Sequence, residues 1–598
     1  MDTVTCPTTP PSPEFRLADI AIYPAGAKQM LVHARENDAA CILHTTYVEL
    51  LKGCRDFQSL DAHLAAFCQG RTVTEHVRQG LRHKLSGLAR AGYLVSREQV
   101  QALFQQGDEP PAQITTLGVP TCNRVETLQR GLTGYIEHCQ RFGRALDIVV
   151  MDDSPTPTTR ETSRQMLRTL RRRYGVNIAY AGLDEKRAFA RALGEVGDIP
   201  QEVIFWACVG NREYGTSTSG ANRNALLLHS VGECIFSSDD DMICRVAPVP
   251  QSRTAFAVSP QANLQTWFYA DRQSALDATQ PAEQDIFALH EQWLGHHPCR
   301  GQALAGSPDQ LDSALTDPVL LHRLAKQPGR ILVTIHGIVG DISCQSADIL
   351  LFSEQLTCAE QAYCQAYAQR EIAQGARQIT LTQDAFALTG MGIGGLDNRE
   401  LLPPFGPFGR CDDIIFGHTL ATCFANASVV YLPWLLLHAP PETRRFSGPL
   451  FDIPFDMFLI GCLRRFQQQF LTTPSPLAGL CQLSQFLEHI AQLPLPAFEA
   501  FVRQIYWQGQ GSMVSLLEKR LHEHTDRCAP SWRRDAEAYC AQARQHMLEP
   551  VRYRLPDGPE TVQRATRQFA LVLKWWPRIV ESARRLRAEG RRLAHPVV

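Results

Sequence analysis

Apolar and polar positions change their rhythm twice along this chain. In the first hundred residues the runs are short and alternating. "QMLVHA" (Gln29 to Ala34) and "ACILH" (Ala40 to His44) predict paired strands around a charged turn. "TYVELLKGC" and "SLDAHLAAFC" predict short amphipathic helices. "TEHVRQGLRHKLSGLARAGYL" places Val77, Leu81, Leu85 and Leu88 on one helical stripe, with Gly92 as its stop. From Ile114 onward, continuous apolar runs alternate with amphipathic ones: "ITTLGVPT", "VETLQRGLTGYIEHCQRFG", "LDIVVMDDS", "TSRQMLRTLRRRYG", "VNIAYAG" and "ANRNALLLHS". This strand–helix alternation predicts a doubly wound α/β sheet that receives ligands at the C-terminal ends of its strands. The stretch from about Phe256 to Thr380 has no clear period, and from about Phe451 the pattern turns helical.

These rhythms divide the chain into a Pro/Thr-rich tail (1–14) expected to be disordered, a winged-helix-like domain (15–104), a linker "QQGDEPPAQ" (105–113), an α/β domain (114–450) and a helical C-terminal domain (451–598). A chain of 598 residues exceeds what one hydrophobic core can organise. Its 44% hydrophobic and 20% charged residues are ordinary for a globular protein. A net charge of −2 argues against a general nucleic-acid binder, whose affinity rests on phosphate neutralisation. The 19 cysteines are scattered without a C-x-x-C pair, and the groupings His296, His297, Cys299 and His522, His524, Cys528 have no metal-site spacing. No basic-then-apolar leader is visible, and the longest apolar run, "VVYLPWLLLH" (Val429 to His438), is too short to span a bilayer. A cytoplasmic protein without a transmembrane segment is expected.

Candidate chemistry gathers at the predicted strand ends. "VPTCNRVETL" offers Pro120, Thr121, Asn123 and Arg124; "VVMDDSPT" offers Asp152 and Asp153; "GANRNALL" carries Arg223 and Asn224; "GECIFSSDDDM" stacks Asp239, Asp240 and Asp241. Singly, each has an ordinary explanation: an Asp triplet is usually a solvated loop, an Asp pair a turn or helix cap, and a helical Arg a surface residue. As an ordered set on a βα scaffold they resemble the family 2 glycosyltransferases of the GT-A fold. That resemblance implies a nucleotide-diphosphate sugar donor, UDP-linked, with inversion at the anomeric carbon. It assigns Pro120, Thr121, Asn123, Arg124, Asp152, Asp153 and Arg223 to donor binding. Asp239 and Asp241 become the ends of a D-x-D element holding a divalent metal, manganese or magnesium, with Asp240 beside the donor. The chemistry is consistent with this: a departing diphosphate needs a Lewis acid and fixed cationic donors. In extended chain, Asp239 and Asp241 would point to one side and Asp240 to the other.

"RCDDIIFGHTL" resembles the acidic base motif of the same family, with Asp413 as the group that takes the acceptor's proton and Asp412 in place of the usual glutamate. Locally, the same pair reads equally well as helix capping. His438 matches the late histidine that GT-A enzymes supply to the metal, although a histidine beside an apolar run is more often structural. The N-terminal "MLVHARENDAACILHTTYVELLKGC" and "LSGLARAGYL" resemble a PqqD-like peptide-recognition domain, which implies strand addition of a leader peptide and a ribosomally made peptide as acceptor. Three alternatives stand beside this reading: a transferase of surface glycan biosynthesis, a non-catalytic GT-A-fold peptide- or nucleotide-binding protein, and a nucleotidyltransferase. Against the last stands the Pro-Thr-x-Asn-Arg turn. Trp575 and Trp576, on a helical pattern with flanking Lys and Arg, are expected to pack inward.

Overall fold

Antiparallel pairing organises the first hundred residues. Strand β1 (Glu14–Leu17) is followed by a meander of β2 (Ile20–Gly26), β3 (Gln29–Ala34) and β4 (Ala39–His44). Helices α1 (Thr45–Gly53), α2 (Leu60–Cys68) and α3 (Glu75–Arg90) come next, with the two-residue strand β5 (Gln58–Ser59) before α2. Strand β6 (Leu94–Ser96) and helix α4 (Arg97–Gln101) complete the run. The coordinates are a computed structural model. It describes residues 12–598 except 36, 104–111, 212–213, 215–216, 300–310, 313, 327–328, 343–347, 352–353, 385–393, 443, 445–450, 453, 471–474, 525 and 556. The expected tail lies outside these residues up to position 11, and the expected linker up to position 111.

The chain forms two compact units. The first comprises residues 1–109 together with two returning segments, 255–260 and 297–328. Here β1 lies between β5 and β6, antiparallel to both, and the meander forms a second sheet. Val32, Leu43, Leu51, Leu64, Leu85 and Leu88 fill the core. The α3 stripe packs from Leu81 onward, whereas Val77 in its first turn is exposed. Gly92, at φ +81°, stops that helix as its position suggested. The returning segments are built into this unit. Buried Arg16 donates to the Thr316 carbonyl (2.7 Å), and the helix Pro318–Lys326 buries Leu320, Leu321 and Leu324. Across the meander Tyr23 pairs with Leu31, and Leu31 with Ile42; this in-register apolar row is 53%, 36% and 59% exposed.

The second unit, residues 110–254, 261–296 and 329–598, is a mixed α/β body. Its first half alternates as the pattern predicts. The elements are β7 (Ile114–Thr121), α5 (Val125–Arg141), β8 (Asp147–Asp152), α6 (Pro157–Tyr174) and β9 (Ile178–Ala181). They continue with α7 (Leu183–Gly197), α8 (Gln201–Cys208), α9 (Ser219–His229), β10 (Cys234–Ser237) and β11 (Met242–Pro248). The stretch without a clear period supplies β12 (Leu264–Phe268), β13 (Arg330–Asp341), β14 (Glu371–Ala376) and the start of β15 (Ile379–Thr382), and β16 (Gly394–Asp397) lies beyond it. Helix α10 (Asp412–Cys423) and β17 (Ala427–His438) follow. The helical region contains α11 (Phe455–Gln469), α12 (Pro476–Ala491), α13 (Leu495–Glu523), α14 (Pro530–Leu548) and α15 (Pro559–Ala588), and β18 (His595–Pro596) ends the series.

One large sheet runs in the order β15-β17-β13-β16-β10-β7-β8-β9-β18. Strands β10, β7, β8 and β9 are parallel, while β16 is antiparallel to both β10 and β13. Strand β11 lies off this order and pairs antiparallel with β17. The order reverses beside β7, the kind of switch point at whose strand ends open α/β sheets receive ligands. Every residue of α9 after Ser219 is buried, and the Trp576 indole in α15 is fully buried and donates to the Leu402 carbonyl (2.7 Å). No helix among the described residues is long and apolar enough to cross a membrane.

Candidate functional site

The C-terminal ends of β7, β8 and β10, with the start of α9, bring the acidic and basic patches together. Strand β7 ends in buried Pro120 and Thr121, and the turn after it exposes Asn123 at φ +57° before Arg124 opens α5. The Asn123 amide donates to Ser154 Oγ (2.8 Å), which ties this turn to the one after β8. Thr121 Oγ1 donates to Asp240 Oδ2 (2.7 Å). Arg124 Nη1 reaches both Asp240 Oδ1 and Asp241 Oδ2 at 3.1 Å.

The aspartate cluster is therefore not an extended segment. The Met242 amide donates to the Asp239 carbonyl (3.2 Å), closing a tight turn between β10 and β11. Strict alternation does not apply inside such a turn. Asp240 and Asp241 share Arg124, whereas Asp239 turns away to Arg223. Burial and the neighbouring Asp241 raise the Asp240 carboxyl to about 7, although Arg124 and Thr121 oppose the rise. Burial would raise Asp241 as well, but His438, Arg124 and Arg444 outweigh it and lower the group to about 2.

Arg223 joins the cluster to the other acidic motif. Its Nη2 pairs with Asp239, its Nη1 donates to Ser237 Oγ (3.1 Å) and its Nε donates to Asp412 Oδ2 (3.0 Å). Ser219 Oγ donates to the other Asp412 oxygen (2.7 Å). The guanidinium is buried, yet these carboxylates raise its pKa. Asp412 is buried and fully engaged, while Asp413 is partly exposed on the first turn of α10. Both also place negative charge at the helix N-terminus, as their local pattern allows. Of the two, Asp413 has the access a proton acceptor requires.

The Asp152 and Asp153 pair sits at the same edge, deeply buried. Asp152 accepts from the Tyr180 hydroxyl (2.9 Å) and the Ser154 amide (2.7 Å). Asp153 pairs with Lys186 and accepts from Thr218 Oγ1 (2.7 Å). Lys186 also bonds Asn222, whose amide group donates to the Met151 carbonyl (2.8 Å) and the Thr121 carbonyl (3.3 Å). One polar network thus runs from the β8 turn to the residue preceding Arg223. Lys186, Thr218, Ser219 and Asn222 are contributions the sequence reading missed. Lys186 left one trace: it interrupts the buried stripe Leu183, Ala190, Leu193 of α7 at a core position.

His438 ends β17, opposite Met242 in the register with β11, which brings it to the aspartate turn. Its Nδ1 contacts the Asp341 carbonyl (2.6 Å), and its Nε2 lies 3.5 Å from Asp241 Oδ1. Nδ1 must carry a proton to bond a carbonyl, so Nε2 faces the carboxylate with its lone pair unless a proton or cation intervenes. Burial opposes protonation of His438, but the Asp241 carboxylate raises its pKa, so the pair can share a proton or could hold a divalent ion between them. Asp239 does not join them, and no three His, Cys, Asp or Glu side chains among the described residues converge at ligand distance. Arg444, from the loop after β17, lies 3.7 Å from Asp241 and 3.6 Å from Asp341 and adds a third cationic group beside Arg124 and Arg223.

The chain matches no protein-family model, and no curated protein aligns with it.

Proposed function

We propose that the second unit is a metal-dependent glycosyltransferase with a GT-A-like sheet, taking its sugar from a nucleotide-diphosphate donor, a UDP-sugar by resemblance. The observation that carries this reading is the bridge made by Arg223 between Asp239 in the aspartate turn and Asp412 beside Asp413. Direct displacement at a sugar carbon needs stabilisation of the leaving group and a proton acceptor within one site, and this bridge brings the two acidic motifs that would serve those ends together. Arg124, Arg223 and Arg444 would stabilise the diphosphate as it departs. Asp241 and His438 would hold manganese or magnesium, which supplies further charge neutralisation at that diphosphate. Asp413 would accept the proton of the acceptor nucleophile, with Asp412 held in place by Arg223 and Ser219. The networks around Asp152 and Asp153 would shape the nucleotide end.

The test is a screen of nucleoside-diphosphate sugars in the presence of manganese, reading release of the nucleoside diphosphate. Turnover of one donor is expected, with loss in Asp241→Ala while that variant stays folded. Unchanged turnover in Asp241→Ala would remove the metal assignment. If every donor stays intact while one still raises the melting temperature, the reading becomes a nucleotide-binding protein that kept the shell.

The first unit supports a peptide acceptor. Its meander presents the exposed row Tyr23, Leu31 and Ile42, a surface suited to an extended apolar peptide. Ile42→Asp should weaken binding of a candidate leader peptide at least 10-fold by fluorescence anisotropy, with the melting temperature unchanged. Undiminished affinity would leave surface glycan as the acceptor class to examine.

A further inference from the structure

The far end of α5 borders a cleft that the donor site does not use. Where α5 crosses the start of β11 it carries Gly131 and Gly134, and helix and strand come close. A Cβ at Gly131 would lie 2.8 Å from the Asp240 carbonyl oxygen, and one at Gly134 would lie 3.4 Å from the Cys244 amide nitrogen. Further along the same face come His138 and Arg141, four and three residues on. There the close packing gives way to a cleft of about 340 Å³, whose lining includes Arg141, Phe142, Cys244, Arg245, Val246 and Gln284. The segment 281–284 forms its other wall and is tied to β11 by the Ala282 amide, which donates to the Val246 carbonyl (2.9 Å).

Two guanidinium groups line this space, and no carboxylate does. Arg245 is held in place by the C-terminal end of the helix Arg272–Ala278. Its Nη2 donates to the carbonyls of Leu276 (3.0 Å) and Thr279 (2.6 Å), and its Nη1 to Thr279 Oγ1 (3.5 Å). Such partners orient the guanidinium without cancelling its charge, and burial lowers its pKa with no carboxylate to oppose the shift. Arg141 is exposed in the last turn of α5 and forms no ion pair among the described residues. It acts electrostatically on the Cys244 thiol, but burial outweighs it and keeps that thiol protonated, so Cys244 brings no negative charge. Asp285, next to Gln284, is already taken by Arg144 (2.5 Å) and His138 (3.4 Å). Helix capping explains where Arg245 sits. It leaves two positive charges on one cleft unmatched.

We propose that this cleft is a second binding site, which takes the phosphoryl group of a small phosphate monoester. Two cations suit a dianion, and a monoester carries nearly two negative charges above its second pKa of about 6. Arginine forks also match phosphate oxygens in geometry. Phe142, Val246, Pro281 and Ala282 would face the organic part of the ligand, with the Gln284 carboxamide at the rim. The volume is near the lower end of small-molecule sites, about 300–1,000 Å³, which suits a monophosphate bearing a single small group. Arg245 lies on the order of 10 Å along β11 from Asp241, so the cleft is distinct from the aspartate turn. It stands whether or not the second unit transfers a sugar.

The test is isothermal titration of the full chain, without added metal and at constant ionic strength, with AMP and with glucose 6-phosphate. At least one monoester should bind with a Kd below about 1 mM. Arg141→Glu should weaken that binding at least 10-fold with the melting temperature unchanged, since Arg141 is exposed and unpaired. Arg245→Gln should weaken it likewise, and supplies the test if Arg141→Glu does not fold. Failure of both monoesters to bind below about 1 mM would overturn the proposal. So would a loss smaller than 10-fold in Arg141→Glu, or in Arg245→Gln where the former does not fold, because the phosphate would then be held elsewhere, as at Arg124 and Arg223.

Discussion

Arg223 illustrates how much one planar side chain does here. Its fork spans Asp239, Ser237 and Asp412, a geometry lysine cannot reproduce with a single ammonium. Arg223→Lys should lose about 1.5–3 kcal/mol of charge-assisted hydrogen bonding, or about 10- to 150-fold in kcat/KM, measured by steady-state donor turnover. Lys186 shows the opposite economy, a buried charge whose importance is structural. Lys186→Met strands Asp153 without its cation and should cost about 3–5 kcal/mol by denaturant unfolding. Adding Asp153→Asn should return part of that loss, since the uncompensated charge disappears. These residues also mark the limit of what could be read from sequence. Lysines are almost always solvated, so one at a core position of α7 passes for a surface residue until its partner is seen.

At the scale of elements, the parallel half of the sheet was legible because β7 to β10 are buried and read as continuous apolar runs. The aspartates were legible as a cluster but not in their directions, since the turn closed by Met242 and Asp239 defeats the two-residue period. His438 reaches Asp241 only through the β11–β17 pairing, about two hundred residues apart, and Arg444 comes from a loop without periodicity. Such long-range pairings leave no local pattern. Helix α9 gives a prediction of its own. Its Gly220 lies so close to the loop that a Cβ would stand 1.8 Å from the Gly406 carbonyl oxygen and 2.8 Å from the Asp412 Cβ. Gly220→Ala should cost about 1–3 kcal/mol or more through overpacking, seen as a lower melting temperature. Donor turnover should fall with it, because the displaced atoms belong to the Asp412 loop.

At the scale of the whole molecule, several buried histidines set the response to acid. Burial lowers His229 to about 3, His336 to about 4 and His418 to about 3, and lowers His290 well below its ordinary value. Below pH of about 6.5 the unfolded chain takes up protons that these folded groups refuse. The stability they contribute is complete above that pH and is lost as pH falls toward 4 and 3. Each adds up to about 1.4 kcal/mol per pH unit in that window. Melting temperature should therefore drop steeply between pH 6 and 4, and His229→Gln should flatten the slope. The chain crosses between the two units more than once, and that has a practical consequence. A fragment cut near residue 109 would leave the segment 297–328 behind, with Thr316 deprived of Arg16 and Leu320, Leu321 and Leu324 parted from the rest of their unit. Neither severed piece would be a faithful miniature of its parent: the remainder would display a greasy helix and invite clumping. Surgical point changes, or a graft that restores 255–260 and 297–328 to the smaller piece, are the sound way to take this molecule apart.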